Sequence, residues 1–229
     1  MVALLAHRGA GEVVGDNTIE AFCEARRLGV DGVELDVRRS ADGGLVVHHD
    51  PHVEGLGPLI ALPVADLPPE VPLLEAAIVA CGDLVVNIEL KELPGEPGYD
   101  PDHPLAGSVA RFVLERGLES RVIVSSFDLR ALDAVHAVDP AIATGWLTSD
   151  GYDQHEALVS VLRQGHQALH PYHQAVTAEL VSSAHASGIA IRTWTVDDPR
   201  RALELAGAGV DAIITNRPAL LRRTPGVGC

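Results

Sequence analysis

The run Gly32-Val33-Glu34-Leu35-Asp36-Val37, continued through Arg38-Arg39-Ser40-Ala41-Asp42-Gly43-Gly44 into Leu45-Val46-Val47-His48-His49-Asp50, decides how this chain folds. Its first part alternates apolar residues with two carboxylates. On a strand that spacing puts Glu34 and Asp36 on one face and Val33, Leu35 and Val37 on the other. Residues 45–48 read as a second strand. Only residues 38–44 separate the two, whereas a parallel crossover needs a dozen or more. The chain must therefore turn back as a hairpin at Ala41-Asp42-Gly43-Gly44. A turn centred between Asp42 and Gly43 sets Asp36 opposite His49.

On either side of this hairpin the pattern is regular. Apolar runs at 2–6, 32–37, 84–90, 122–125, 142–147, 167–170, 189–196 and 212–215 read as strands. Amphipathic stretches begin near Asn17, Leu73, Pro104, Asp128, Gln154, Thr177 and Pro199, with a short one after Pro218. Eight such βα units predict an α/β fold, a (β/α)₈ TIM barrel. The hairpin after strand 2 distorts it as an excursion at the mouth, not as a ninth barrel strand. Residues 51–72 and 92–104, rich in Pro and Gly, are expected to be ordered loops over that mouth. No domain boundary is visible, so residues 1–229 are expected to form one barrel domain.

Composition fits this reading and narrows the function. Hydrophobic residues make up 47% of the 229 and aromatics only 3%, so the core is aliphatic, as buried parallel strands require. A net charge of −15 with no Lys/Arg stripe argues against nucleic acid as a partner. An anionic substrate would need a metal ion or local cations to reverse the field. Cys23, Cys81 and Cys229 show no CxxC spacing, so no disulfide framework or thiolate zinc site is expected. Cys23 and Cys81 read as small buried hydrophobes and Cys229 as an exposed terminal residue. No stretch approaches the ~20 apolar residues of a membrane span. With no basic flank before the apolar start, a cytoplasmic setting is expected.

Barrel chemistry gathers at the C-terminal ends of strands. Four places qualify: His7-Arg8, the Glu34/Asp36 pair, His49-Asp50, and Glu89 with Lys91. Each alone has an ordinary explanation: an exposed strand face, a core histidine or an ion pair. Together, at successive strand ends within apolar runs, they would bury charges, which is costly unless the charges are paired or bind a metal. Glu34, Asp36 and Glu89 could not all stay ionised at one mouth without a cation. Oxygen-only ligands favour one hard divalent ion, Mg²⁺ or Ca²⁺. His7 and His49 beside it suit proton transfer near neutrality.

The ordered set His7-Arg8-Gly9, Asn17-Thr18, Ala21-Phe22, 32–37, Asp42-Gly43 and 46–50 resembles the signature of glycerophosphodiester phosphodiesterases, a phospholipase-C-like barrel family. Glu89-Leu90-Lys91, Ser125-Ser126-Phe127, Trp194-Thr195-Val196 and 209–218 extend the likeness over nearly the whole chain. The resemblance implies metal-dependent hydrolysis of glycerophosphodiesters to glycerol 3-phosphate and an alcohol. It assigns Glu34, Asp36 and Glu89 to the metal, and His7 and His49 to general acid–base catalysis. Arg8 and Lys91 would contact phosphate, and Trp194 would pack on the glycerol or leaving-group side.

The chain departs from the family's pattern in two places. Gly15-Asp16 stands where Pro-Glu is usual, and residues 16–20 read as a helix N-cap with Asn17 and Glu20 as a capping box. Residues 52–57 stand where the family has a Thr/Arg-rich stretch and a longer insertion, so the leaving-group end of the pocket is expected to be more open or differently lined. His166, His170 and His173 do not share a helix face, which argues against a metal role; His170 remains a candidate to line the mouth. Asp197-Asp198-Pro199 reads as a helix start. Two other functions stay open: a lysophospholipase D using the apolar segment 56–62 to hold an acyl chain, and a non-catalytic sugar-phosphate-binding module. The module should have lost one of the two histidines or three carboxylates, and all five are present.

Overall fold

The computed structural model describes residues 2–12, 14–224 and 226–228; Cys229 lies outside them. In chain order the strands are β1 (Ala3–Ala6), β2 (Gly32–Arg39), β3 (Leu45–Val47), β4 (His52–Val53), β5 (Gly57–Pro58), β6 (Val85–Leu90), β7 (Val122–Ser126), β8 (Ala143–Thr148), β9 (Ala168–Pro171), β10 (Ala190–Thr193) and β11 (Ala212–Thr215). The helices are α1 (Ile19–Leu28), α2 (Leu74–Cys81), α3 (Pro104–Glu115), α4 (Leu129–Val138), α5 (Gln154–Gln164), α6 (Ala178–Ala186), α7 (Pro199–Ala208) and α8 (Pro218–Leu221).

Eight parallel strands run β1-β2-β6-β7-β8-β9-β10-β11, and β1 pairs with β11 to close the barrel. The helices lie outside. Alternation along β2 and β6 explains the arrangement: Val33, Leu35, Val37, Val86, Ile88 and Leu90 share one buried cluster with Phe22 of α1 and Ala77 of α2. Burial of each such side chain contributes roughly 1.5–3 kcal/mol. The intervening residues Glu34, Asp36, Asn87 and Glu89 face the barrel interior, and all four are buried.

The expected hairpin is present, and its place follows from the pairing. β6 occupies one edge of β2 from Gly32 to Val37, while β1 covers the other edge only at Gly32 and Val33. β3 takes the edge that β1 leaves open, pairing antiparallel as Val37–Val47, Arg38–Val46 and Arg39–Leu45. The register differs by one from that expected: Asp36 lies opposite His48, whose N–H donates to the Asp36 carbonyl at 3.0 Å. The loop is Ser40 to Gly44, with Gly43 at φ +84° in the left-handed region. This five-residue connection moves the turn centre back by half a residue.

The segment 51–72 is ordered, as expected. It carries the β4–β5 pair and two short 3₁₀ turns, and its Val53 and Leu59 are buried with Val46 of β3. Cys81 is buried as expected, but Cys23 is exposed, on the outer side of α1. Helix α1 also starts differently: Thr18 is the cap, its side chain accepting from Ala21 N. Asn17 is used elsewhere.

Candidate active site

Glu34, Asp36 and Glu89 reach one point inside the mouth, with a ligand oxygen of each within 4.8 Å of the others. Neighbouring strands supply them, Asp36 pairing with Glu89 across the β2–β6 ladder. Their relative exposures are 2%, 0% and 7%, so water does little to screen them. Burial, then repulsion from Asp36 and Glu89, raises Glu34 well above the usual carboxylate range. Burial likewise pushes Glu89 up to about 7, against the pull of Lys91. Burial would raise Asp36 too, but Lys91, Arg8 and a hydrogen bond from Asn17 outweigh it and hold that carboxyl low.

The cations stand where the carboxylates need them. Lys91, two residues beyond Glu89, places Nζ 3.1 Å from Asp36 and in contact with Glu89. Arg8 Nε lies 3.0 Å from Asp36, and its backbone N–H donates to Glu34 at 2.9 Å. That bond accompanies a left-handed backbone at Arg8, φ +54°, which costs a side-chain-bearing residue ~1–2 kcal/mol. Gly9 follows at φ +79°, so close to Ala21 of α1 that a Cβ would collide with its backbone. Asn17 donates from Nδ2 to Asp36 at 2.8 Å and accepts from the Asp36 N–H. The expected Asn17 cap is thus a clamp on a carboxylate.

Each histidine has Nδ1 engaged. His7 Nδ1 is 2.6 Å from Asn216 Oδ1, while Asn216 Nδ2 donates to Asp197. Since Asp197 must accept, Oδ1 of Asn216 faces His7 as an acceptor, and the His7 proton belongs on Nδ1. Nε2 is left with its lone pair, 3.7 Å from Glu34. His49 Nδ1 contacts Asp50 at 2.7 Å. Burial lowers both pKa values, opposed at His7 by the Asn216 hydrogen bond. Lys91 adds to the lowering at His49.

A cavity of about 400 Å³ opens over these groups, lined by the polar side chains of Arg8, His49 and Lys91 and by the aromatic rings of Phe127 and Trp194. The two aromatic rings meet edge to face at 5.4 Å, and Trp194 Nε1 donates to the His170 carbonyl at 2.8 Å. All eight residues expected from the sequence therefore lie around one mouth.

The pattern described as the glycerophosphoryl diester phosphodiesterase family matches residues 7–95 and 57–220. The chain belongs to that family. A glycerophosphodiester phosphodiesterase of Caldanaerobacter subterraneus is 32% identical over 239 residues, covering 95% of each chain. The crystal structure of the Thermotoga maritima glycerophosphodiester phosphodiesterase superposes with a TM-score of 0.83 at 29% identity, over 97% of this chain and 98% of that one. An Oleispira antarctica phosphodiesterase solved with its product sn-glycerol-3-phosphate shares the fold, with a TM-score of 0.85 at 24% identity over 97% and 96% of the chains.

As a member of this phosphodiesterase family, the chain could hold a divalent cation at the carboxylate set. Glu34 Oε1 is buried without a hydrogen-bond partner, Asp36 Oδ1 and Glu89 Oε1 meet only the Lys91 ammonium, and an all-oxygen donor set suits a hard ion. It is the one such group among the described residues. His166 packs instead against His136 and hydrogen-bonds Thr144, and His173 opens a 3₁₀ turn. His170 is not at the mouth: it is fully buried, its ring so close to Gly145 that a Cβ there would collide with it. Asp198 caps α7, whereas its neighbour Asp197 supports Asn216.

Four participants were not assigned from the sequence: Asn17, Arg38, and Asp197 with Asn216. For Arg38 a signal existed. It follows Asp36 by two residues and must share its face.

Proposed function

We propose that this chain hydrolyses glycerophosphodiesters to glycerol 3-phosphate and an alcohol, on a single barrel domain. The observation that carries the reading is the buried Glu34–Asp36–Glu89 set flanked by two imidazoles. A divalent cation, Mg²⁺ or Ca²⁺, bound there would supply positive charge for the phosphoryl oxygens as negative charge develops on them. It would also offset the acidic character of the mouth. Arg8 and Lys91 contribute to the same field and orient the phosphate.

The reaction breaks the phosphorus–oxygen bond to the alcohol and puts the elements of water across it. One imidazole takes a proton from the attacking hydroxyl; the other gives one to the departing alkoxide. His7 is prepared for such work, because Asn216 fixes its tautomer and leaves Nε2 facing the carboxylates. Attack by water gives the monoester directly, whereas attack by the glycerol 2-hydroxyl gives a cyclic phosphate that water then opens. Trp194 and Phe127 form the apolar wall for the substrate's carbon skeleton.

A lysophospholipase D would need an apolar groove for an acyl chain. The segment proposed for it is largely consumed by its own packing, with Leu59 buried against Val46 and Val53 and, of its leucines and isoleucine, only Leu56 exposed. Small soluble diesters are therefore the favoured substrates.

The test is incubation with glycerophosphocholine, glycerophosphoethanolamine, glycerophosphoglycerol and a lysophospholipid, with Mg²⁺, Ca²⁺ or EDTA, followed by phosphorus NMR. Glycerol 3-phosphate should form from at least one glycerophosphodiester with metal and not with EDTA. No turnover of any substrate would overturn the enzymatic reading, and turnover indifferent to EDTA the metal assignment.

A further inference from the structure

Arg38 holds three segments of the mouth at once. Its side chain, 6% exposed, donates from Nε to the His49 carbonyl at 2.8 Å. Nη1 donates to the Lys91 carbonyl at 3.1 Å and pairs with Glu96 at 3.0 Å. These acceptors belong to the hairpin return, the end of β6 and the loop 92–103.

We propose that Arg38 is the positioning residue that sets His49 for proton transfer and holds the rim loop through Glu96. This rests on the reading of His49 as a proton-transfer residue. The β2–β3 ladder ends at the Val37–Val47 pair, with one further bond from His48 N to Asp36 O. His49 lies past that point. Its imidazole partner Asp50 is its neighbour in the chain and is 71% exposed, so the two move together and Asp50 cannot anchor the ring in space. Arg38 is rooted in a barrel strand and takes the His49 carbonyl from below. A guanidinium suits this task because its donors are fixed in one plane at set angles, which a lysine ammonium on a flexible stem does not reproduce.

The experiment compares R38M, R38K, E96Q and H49A in the full chain, reading kcat and KM for glycerophosphocholine in saturating Mg²⁺. Thermal unfolding and calorimetric titration with Mg²⁺ alone accompany the kinetics. R38M should lower kcat about 10- to 10²-fold, since a misplacement near 1 Å has effects of this size. R38K should recover only part of that loss. E96Q should raise KM several-fold with a smaller effect on kcat, and Mg²⁺ affinity of R38M should match wild type.

If H49A retains activity, the reading of His49 fails and the proposal for Arg38 falls with it. If H49A collapses while R38M keeps its kcat, Arg38 positions nothing. Mg²⁺ affinity falling in step with kcat would also overturn the proposal, placing the effect at the carboxylates. Should R38M fail to fold, R38K carries the test, and wild-type kcat in R38K overturns it.

Discussion

His7 and His49 line the same cavity beside the carboxylates, on supports of different kinds. His7 directly follows β1, its backbone N–H bonded to Thr215 at the end of β11 and its ring to Asn216. Asn216 is in turn held by Asp197 through both its side chain and its backbone. Every support comes from a barrel strand or the loop just beyond one. His49 sits on the return of a hairpin, with its side chain 41% exposed against 16% for His7. The barrel fixes one imidazole by its closure, while the other depends on a few side-chain bonds to an excursion. Two groups of the same chemistry can thus differ in how much of the fold must be intact for each to act.

The most severe break in this comparison is loss of either ring. His7→Ala and His49→Ala should each lower kcat about 10²- to 10⁴-fold, the usual range for general acid–base groups. Repeating both with a diester bearing an activated aryl leaving group tells the roles apart. The variant that lacks the acid should regain rate, because such a group departs without a proton; equal losses with both substrates would contradict a division of labour.

A finer test removes the supports and leaves the rings. Asn216→Ala frees the His7 tautomer and orientation and should lower kcat about 10- to 10²-fold. Asp50→Ala, which removes a partner that does not fix His49 in space, should cost only about a few-fold. Steady-state kinetics on both variants would reverse the comparison if Asp50→Ala proved the more damaging.

The shared carboxylates give a pH dependence. Glu89 titrates near 7 in the fold against an ordinary 4.5, so below about 7 a metal ion must displace its proton. Mg²⁺ affinity measured by calorimetry should fall by up to about tenfold per pH unit per proton displaced as pH drops through this region. The linked effect on stability has the opposite sense. A carboxyl with a raised pKa contributes stability below 4.5 that is lost as pH climbs through about 7. Metal-free wild type should therefore lose Tm relative to Glu89→Gln between these values, and a constant difference would refute the shift.

The smallest effect on activity belongs to the satellite core under the hairpin. Leu59→Ala should destabilise the protein by about 2–5 kcal/mol, as large-to-small core changes do. Its kcat should stay within about twofold if Arg38, not the 51–72 segment, holds His49.

Much of this architecture was legible in local sequence. The barrel strands and α1 to α8 lie close to where apolar periodicity placed them, because a strand or helix repeat is a property of neighbouring residues. The hairpin was legible from its short connection. Its register was not, since pairing depends on the conformation of the Ser40–Gly44 loop, and Asp36 faces His48 instead of His49. Asn17 was misread for a related reason: an Asn before a helix suits a cap, and only the approach of β2 turns it onto Asp36.

From its sequence alone, then, this protein had its elements, its distorted barrel and the candidate site residues His7, Glu34, Asp36, His49, Glu89 and Lys91. The tertiary structure decided which atoms of those residues are engaged and by what. The bond that orients His7 joins residues 209 apart, and Arg38 reaches Glu96 across 58. Such contacts exist only once the barrel has closed and the loops have settled, and no local periodicity encodes them. The opening contrast has the same origin: His7 is tied to the strands that close the barrel, whereas His49, past the end of the β2–β3 ladder, is reached by the Arg38 guanidinium and by Asp50.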